Sequence, residues 1–257
     1  MCLFFYISSF CIIHFSKRIY LKLLEENITQ TINESYLIET LNLNNKKILE
    51  LGCGNANMTK MIAQNGFDRQ IIACEVDEIQ HEKNLKENID NIEFILAGAE
   101  DIPLEDNSID FVFMFKSFHH VPKNMMQKAL SEIKRVLKPN GIAYISEPLF
   151  QGEQNELIRL FHDEEQVRID AFEAIKEAVE KEEFKLFQEI FFQSEVTYES
   201  FEDFENKMMN VTYNDNNIDE TLRKKVEEKY KSLGVKKCSN EKLTFLKPFR
   251  VDILQKV

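Results

Sequence analysis

The sequence predicts an α/β fold: a doubly wound, mostly parallel, seven-stranded sheet with an inserted helical cap. Three observations carry this. Short apolar runs alternate with helical patterns from residue 47 to residue 146, the pattern of right-handed crossovers in a parallel sheet. The 257 residues are 44% hydrophobic, enough to bury a core of that size and to exclude a disordered chain. Past Pro148 the composition turns to acidic amphipathic stretches that cannot be sheet, and these mark the cap.

Ahead of the first strand, Leu21, Leu24, Ile28, Ile32, Leu37 and Leu41 recur at broken helical spacing and predict one or two helices. Residues 47–51 form strand one and run into Gly52-Cys53-Gly54-Asn55-Ala56-Asn57. A helical face over 58–64 ends at Asn65-Gly66. Strand two spans 70–76, and Asp77 followed by Gln80 is a capping box opening a helix that ends near Asn88. Strand three is 92–97. Strand four is 109–115, where Phe111-Val-Phe-Met-Phe115 is an unbroken β-rich run suited to burial on both faces. A helix over 124–137 stops at Lys138-Pro-Asn-Gly141, and strand five is 142–146. Helices are expected over 153–162, 164–183, 199–210 and 218–233. Between and after them, 184–196 and 243–257 regain strand character and are expected to pair at the far edge of the sheet. The chain is thus read as an apolar extension (1–20) and a single domain (21–257), with a ligand-binding core at 46–148 and the cap and edge strands at 149–257.

Charge and cysteine usage narrow the function. Lys plus Arg number 32 against 44 Asp plus Glu, a net charge of −12, so phosphate backbones are not attracted and nucleic acid is not an expected partner. Five scattered cysteines without a Cys-x-x-Cys pair argue against a disulfide framework and a zinc knuckle, and point to a reducing, cytoplasmic setting. Residues 1–15 carry no charge before Lys17-Arg18. They are too short to span a bilayer and lack a basic region ahead of the apolar run, so packing on the domain is expected rather than membrane association.

The chemistry begins at Glu50-Leu-Gly52-Cys53-Gly54. Glycines at a strand-to-helix turn let backbone amides approach a ligand closely. Glu50, placed before the first glycine, would repel a pyrophosphate but can accept hydrogen bonds from an ammonium group. Glu75, about 20 residues on at the end of strand two, sits where doubly wound folds grip ribose hydroxyls. A ligand with a ribose and a positive amino group is implied.

Over roughly 46–148 these residues resemble the class I S-adenosylmethionine-dependent methyltransferases of the type-11 branch, a Rossmann-like fold. The acid-x-Gly-x-Gly-x-Gly motif of that family is matched at Glu50, Gly52 and Gly54, with Ala56 in place of the last glycine. Its Gly-Asp-Ala-x-x-Leu-Pro stretch corresponds to Ala97-Gly98-Ala99-Glu100-Asp101-Ile102-Pro103, so Gly98 replaces the usual Asp and any contact to the adenine amino group falls to Glu100. The resemblance implies S-adenosyl-L-methionine as cofactor, bound by Glu50, Gly52, Cys53, Gly54, Glu75, Val76, Ala99, Glu100 and Phe115, and methyl transfer to oxygen, nitrogen or carbon of a small-molecule acceptor in an apolar pocket. Oligomeric state is left open.

His119 and His120 follow strand four at the carboxyl edge of the sheet and are the candidate catalytic residues. A neutral imidazole there can take a proton from the acceptor, although methyl transfer also runs on alignment alone. No metal is expected: in Arg159-Leu-Phe-His162-Asp163-Glu164-Glu165 consecutive helical residues diverge, and Asp163 reads as a cap. Cys53 and Cys74 are read as packing residues. The cap phenylalanines 161, 172, 184, 187, 191, 192, 201 and 204 are read as core, a minority of them lining the pocket. Two alternatives stand beside the methyltransferase. A nicotinamide-dependent oxidoreductase would need a glycine where Asn57 stands, and a non-catalytic S-adenosylmethionine-binding protein would share the site without turnover.

Overall fold

The computed structural model describes residues 21–210, 218–236 and 242–257. The extension expected at 1–20 lies outside the described residues. Strands β1 (Lys47–Leu51), β2 (Gln70–Glu75), β3 (Ile92–Leu96), β4 (Ile109–Phe115), β5 (Leu137–Pro148), β6 (Phe184–Tyr198) and β7 (Leu243–Lys256) form one sheet in the order β3-β2-β1-β4-β5-β7-β6. The first five run parallel, and β7 lies antiparallel between β5 and β6. The expected edge pair therefore forms, with the last strand in the chain on the inside.

Helix α1 (Glu34–Glu39) precedes the sheet, and α2 (Asn57–Gln64), α3 (Glu78–Leu85) and α4 (Met126–Val136) make the crossovers. Asp77 caps α3, its Oδ1 accepting from the amides of Ile79 and Gln80. The period of two in β4 serves both faces. Val112 and Met114 enter the core shared with Leu130 and Ile133 of α4, while Phe113 and Phe115 enter the core shared with Ile38 of α1 and Ile62 of α2. In α4 the buried residues Met126, Ala129, Leu130, Ile133 and Val136 form one face, so truncating Leu130 to Ala should cost about 2–5 kcal/mol.

Three elements depart from expectation. The helix expected from residue 124 opens as a 3-10 turn, Lys123–Met125, before α4. The Lys138-Pro-Asn-Gly141 stop lies within β5: Leu137 pairs with Ile109, the register shifts, and regular pairing resumes at Ile142, because Pro139 has no donor and Asn140 takes φ 62°. Asp110 pins this irregularity by accepting from the Lys47 amide and from Lys138 Nζ.

The third departure concerns the cap, which divides. Helix α6 (Glu165–Glu180) uses Ala171, Ala174, Ile175 and Ala178 to pack into the α4 side of the sheet core, so it is a layer of the sheet rather than part of a cap. Helices α5 (Glu153–Ile158), α7 (Phe201–Phe204) and α8 (Glu220–Leu233) instead gather around Leu157, Tyr198, Phe204, Tyr230 and Phe245. The reason is strand length. Pairing of β5 with β7 ends at Pro148–Phe249, whereas β6 and β7 continue to Tyr198–Leu243 and present an overhang that must be covered. The helix expected over 199–210 is broken into α7 and a π-helical turn, Glu205–Met209. Phe187, expected in the core, is 61% exposed on β6. No helix among the described residues is long and apolar enough to cross a membrane.

Candidate functional site

From β1 the chain winds outward through β2 to β3, then returns to β4 on the other side of β1 and goes on to β5. The carboxyl ends of β1 and β4 thus flank a topological switch point, where open α/β sheets bind ligands. A cavity of about 1080 Å³ opens there. All eleven residues singled out from the sequence line it: Glu50, Gly52, Cys53, Gly54, Glu75, Val76, Ala99, Glu100, Phe115, His119 and His120.

The cofactor side is built by the glycine turn. Gly52 and Gly54 take φ 71° and 53°, left-handed values open to glycine. At Gly52 a Cβ would sit 2.7 Å from Ser117 Cβ, because Ser117 Oγ reaches across the switch point to donate to the Leu51 carbonyl at 2.7 Å. At Gly54 a Cβ would meet nothing within 4 Å: that face is open to the cavity. Ala56, standing where the family motif has its third glycine, is also left-handed (φ 57°, ψ 28°), at a cost of roughly 1–2 kcal/mol for an L-residue.

Glu75 is fixed by backbone. Its Oε2 accepts from the Gly54 amide at 2.6 Å, and its Oε1 from the amides of Val76 and Asp77 at 2.8 and 3.0 Å. One lone pair on Oε2 stays open for a hydroxyl. Beside it Val76 is 66% exposed, an apolar surface at the cavity wall that fits a flat ring. Glu50 is buried and accepts from Thr59 Oγ1 at 2.6 Å. Burial pushes its carboxyl up to about 7, so without a cation beside it the group is about half protonated at neutral pH. This donor and acceptor set fits S-adenosyl-L-methionine. Glu100 lies folded against Gly98, where a Cβ would come within 2.6 Å of either carboxylate oxygen, so the missing Asp is what admits it. Cys53 and Cys74 are buried, and burial raises both thiols, Cys74 to about 12, which leaves them as packing groups.

On the acceptor side, His119 and His120 sit in a 3-10 turn, Phe118–His120, with ring centroids 4.1 Å apart. His119 is buried. Its Nδ1 is hydrogen-bonded to Glu147 Oε2, while Glu147 Oε1 accepts from the Phe118 amide at 2.9 Å. Against the cost of burial, Glu147 and Glu164 raise the His119 imidazole to about 9, so a proton resides on it at neutral pH. His120 shifts the other way, lowered by partial burial and by the charge on His119. Across the cavity Arg168 Nη2 holds Glu164 Oε2 at 2.5 Å, and Glu164 Oε1 faces His162 Nε2 at 3.1 Å and His119 Nε2 at 3.6 Å. Lys247 lines the same wall; burial, with Lys116 and Arg168 nearby, lowers its ammonium to about 8. Arg168 Nε is buried without an acceptor. The pocket expected to be apolar is therefore mixed: Ile158, Phe161 and Met208 share it with cations.

Sequence reasoning missed Glu147, Arg168 and Lys247 and read Glu164 only within a run whose side chains diverge. Glu147 ends a strand beside Pro148, and Lys247 lies in an edge strand far along the chain, so neither has a local signature. Asp163, expected as a cap, lies one residue ahead of the N-cap Glu164 and accepts from the Glu165 amide at 3.0 Å, a local turn and not the helix cap. Glu164, besides its contacts to His162 and Arg168, also comes together with His119 and His120 from the turn after β4.

A family model described as "Methyltransferase domain" matches residues 49–145. The ubiquinone/menaquinone biosynthesis C-methyltransferase UbiE of Rickettsia prowazekii is 32% identical over 117 residues, covering 42% of this chain and 46% of that protein. The uncharacterized methyltransferase-like C25B8.10 of Schizosaccharomyces pombe is 35% identical over 114 residues, 44% of this chain and 41% of its own. The chain thus spans less than half the length of the curated relatives it matches. Among solved structures, the Bacillus halodurans protein BH2331 superposes with a TM-score of 0.58 at 16% identity, covering 87% of this chain and 97% of that one, a likeness of fold.

Proposed function

We propose that this chain, whose residues 49–145 match a family model described as "Methyltransferase domain", transfers a methyl group from S-adenosyl-L-methionine to a small-molecule acceptor. The observation that carries the reading is the meeting of Glu50, the Gly52–Gly54 turn and Glu75 in one cavity with a separate polar wall facing them. The cofactor supplies an electrophilic methyl on a sulfonium. Glu75, clamped by three backbone amides, offers its free lone pair to the ribose, and Val76 offers a face to the adenine. Glu50 takes its charged form when an ammonium group replaces the missing cation beside it. Phe115, 6% exposed at the end of β4, separates the two sides.

The acceptor has an apolar body and an acidic group. Ile158 and Phe161 suit the body; Lys247 and the unpartnered Nε of Arg168 suit a carboxylate or phenolate. His119 and His120 are the candidate catalytic pair. Because Glu147 keeps a proton on His119, alignment of acceptor and methyl supplies most of the rate, and His119 is not a free base. We place the protein in a reducing, cytoplasmic compartment, where the buried thiols of Cys53 and Cys74 stay free.

An acceptor screen with methyl-labelled cofactor, run on small acidic aromatic and aliphatic compounds and on cell extract, tests the proposal. Label transferred to a small molecule supports it. Tight cofactor binding with no transfer to any fraction would favour the non-catalytic binding protein.

A further inference from the structure

The acceptor side also holds a donor set whose geometry has a consequence of its own. His119 Nδ1 is hydrogen-bonded to Glu147, and the remaining ring nitrogen, Nε2, faces Glu164 Oε1 at 3.6 Å. These two groups can share a cation, either a proton or a metal ion. His120 lies beside them, held by the tight 3-10 turn in spite of being the next residue in the chain. One ligand atom each from His119, His120 and Glu164 lies within 4.8 Å of the others.

We propose that His119 Nε2, a ring nitrogen of His120 and Glu164 Oε1 bind one divalent transition-metal ion at the acceptor end of the cavity. Two imidazoles and one carboxylate suit zinc, cobalt, nickel or ferrous iron rather than magnesium or calcium, which take oxygen ligands. Bonds of about 2.1 Å in a tetrahedral site set ligand atoms roughly 3.4 Å apart, so the present spacing closes onto an ion by side-chain movements of under about 1 Å. The surroundings are those of a metal site. Glu147 completes a carboxylate–histidine–metal triad and fixes the tautomer that ligation needs, and Arg168 anchors the far oxygen of Glu164. Three protein ligands leave coordination positions open toward Lys247, where an acidic acceptor group completes the shell. That last step rests on the proposed methyl transfer; binding of the ion does not, and is measured without cofactor.

The test is titration of the metal-stripped full chain with Co²⁺, followed by visible absorption, then displacement by Zn²⁺. One equivalent of Co²⁺ should give bands of a four- or five-coordinate site, removed by Zn²⁺ and untouched by millimolar Mg²⁺. His120→Asn, at a side chain exposed to the cavity, and Glu164→Gln, which keeps its bond to Arg168, should each weaken Zn²⁺ binding at least tenfold with circular dichroism unchanged. Glu147→Gln should weaken it about 10–100-fold through the orientation of His119. His81→Asn, on α3, should leave it within twofold. Absence of bands in the wild-type protein would overturn the proposal and leave a proton as the cation between His119 and Glu164. So would a one-to-one site whose affinity survives both ligand variants within threefold.

Discussion

The cofactor side of the cavity takes nearly all its groups from one stretch of chain, residues 50–100 along β1, β2 and β3. The acceptor side draws His119 and His120 from the turn after β4, Glu147 from β5, Glu164 and Arg168 from the start of α6, and Lys247 from β7. The first is a local device: a glycine turn places Glu75 within reach of the Gly54 amide, so backbone geometry alone sets the site. The second exists only once four separate segments have packed, and its charges are compensated pair by pair in a buried row. Arg250 and Asp252, 2% and 0% exposed, lie next to Glu147 across the β5–β7 pairing and continue that row into the core. Function on one side is separable from folding; on the other it is not.

The largest expected effect tests that contrast on the acceptor side. Glu147→Ala strips three donors of their acceptor, including the His119 ring, and should lower stability by about 3–5 kcal/mol in urea unfolding, because an uncompensated buried charge is left behind. A loss below about 1 kcal/mol would mean that the two sides do not differ in this way. On the cofactor side, Gly54→Val projects a branched side chain into the open cavity at a left-handed φ, and calorimetry should show S-adenosyl-L-methionine affinity falling on the order of 100-fold, about 2.7 kcal/mol. Glu75→Ala should cost about 1.5–3 kcal/mol of the same affinity and also lower stability, because the amides of Gly54, Val76 and Asp77 lose their acceptor.

A smaller effect separates the sides by pH. Burial raises the Glu50 carboxyl to about 7, and a cationic ligand binds the ionised form. Affinity should therefore level off above pH 7 and fall by up to about tenfold per unit below it, with uptake of the cation releasing a proton near pH 6. The sign for the unliganded fold is opposite. A carboxyl whose folded pKa is raised contributes stability below about pH 4.5 that is lost as pH rises through 7. Glu50→Gln should flatten both profiles. The smallest effect is at Ala56→Gly: relief of the left-handed strain is offset by the lost methyl and by glycine's entropy, so stability should stay within about 1 kcal/mol and affinity should not change.

Legibility in the sequence follows the same division. The five parallel strands and Glu50, Gly52, Gly54 and Glu75 were readable because each is announced by neighbours at short spacing: an apolar run, a glycine, a capping Asp77. The edge pair was readable as two strands, but the position of β7 inside β6 was not, since nothing local distinguishes an inner antiparallel strand from an outer one. The grouping of Glu164 with His119 and His120 was not readable at the His162–Glu165 run for the same reason. Adjacent residues there do diverge, and the partners of Glu164 come from a turn over 40 residues earlier.

By itself the sequence determined the fold class and brought Glu50, the glycine turn and Glu75 to one edge of the sheet, because hydrophobic period and glycine placement act over a few residues. Only the tertiary structure decided that α6 belongs to the sheet, that the acceptor wall carries Lys247 and Arg168 among apolar groups, and that Glu147 orients the His119 ring toward Glu164. Those outcomes depend on which buried charges meet across strands and helices far apart in the chain, and the energy of such meetings is set by distance and desolvation, which no local spacing records.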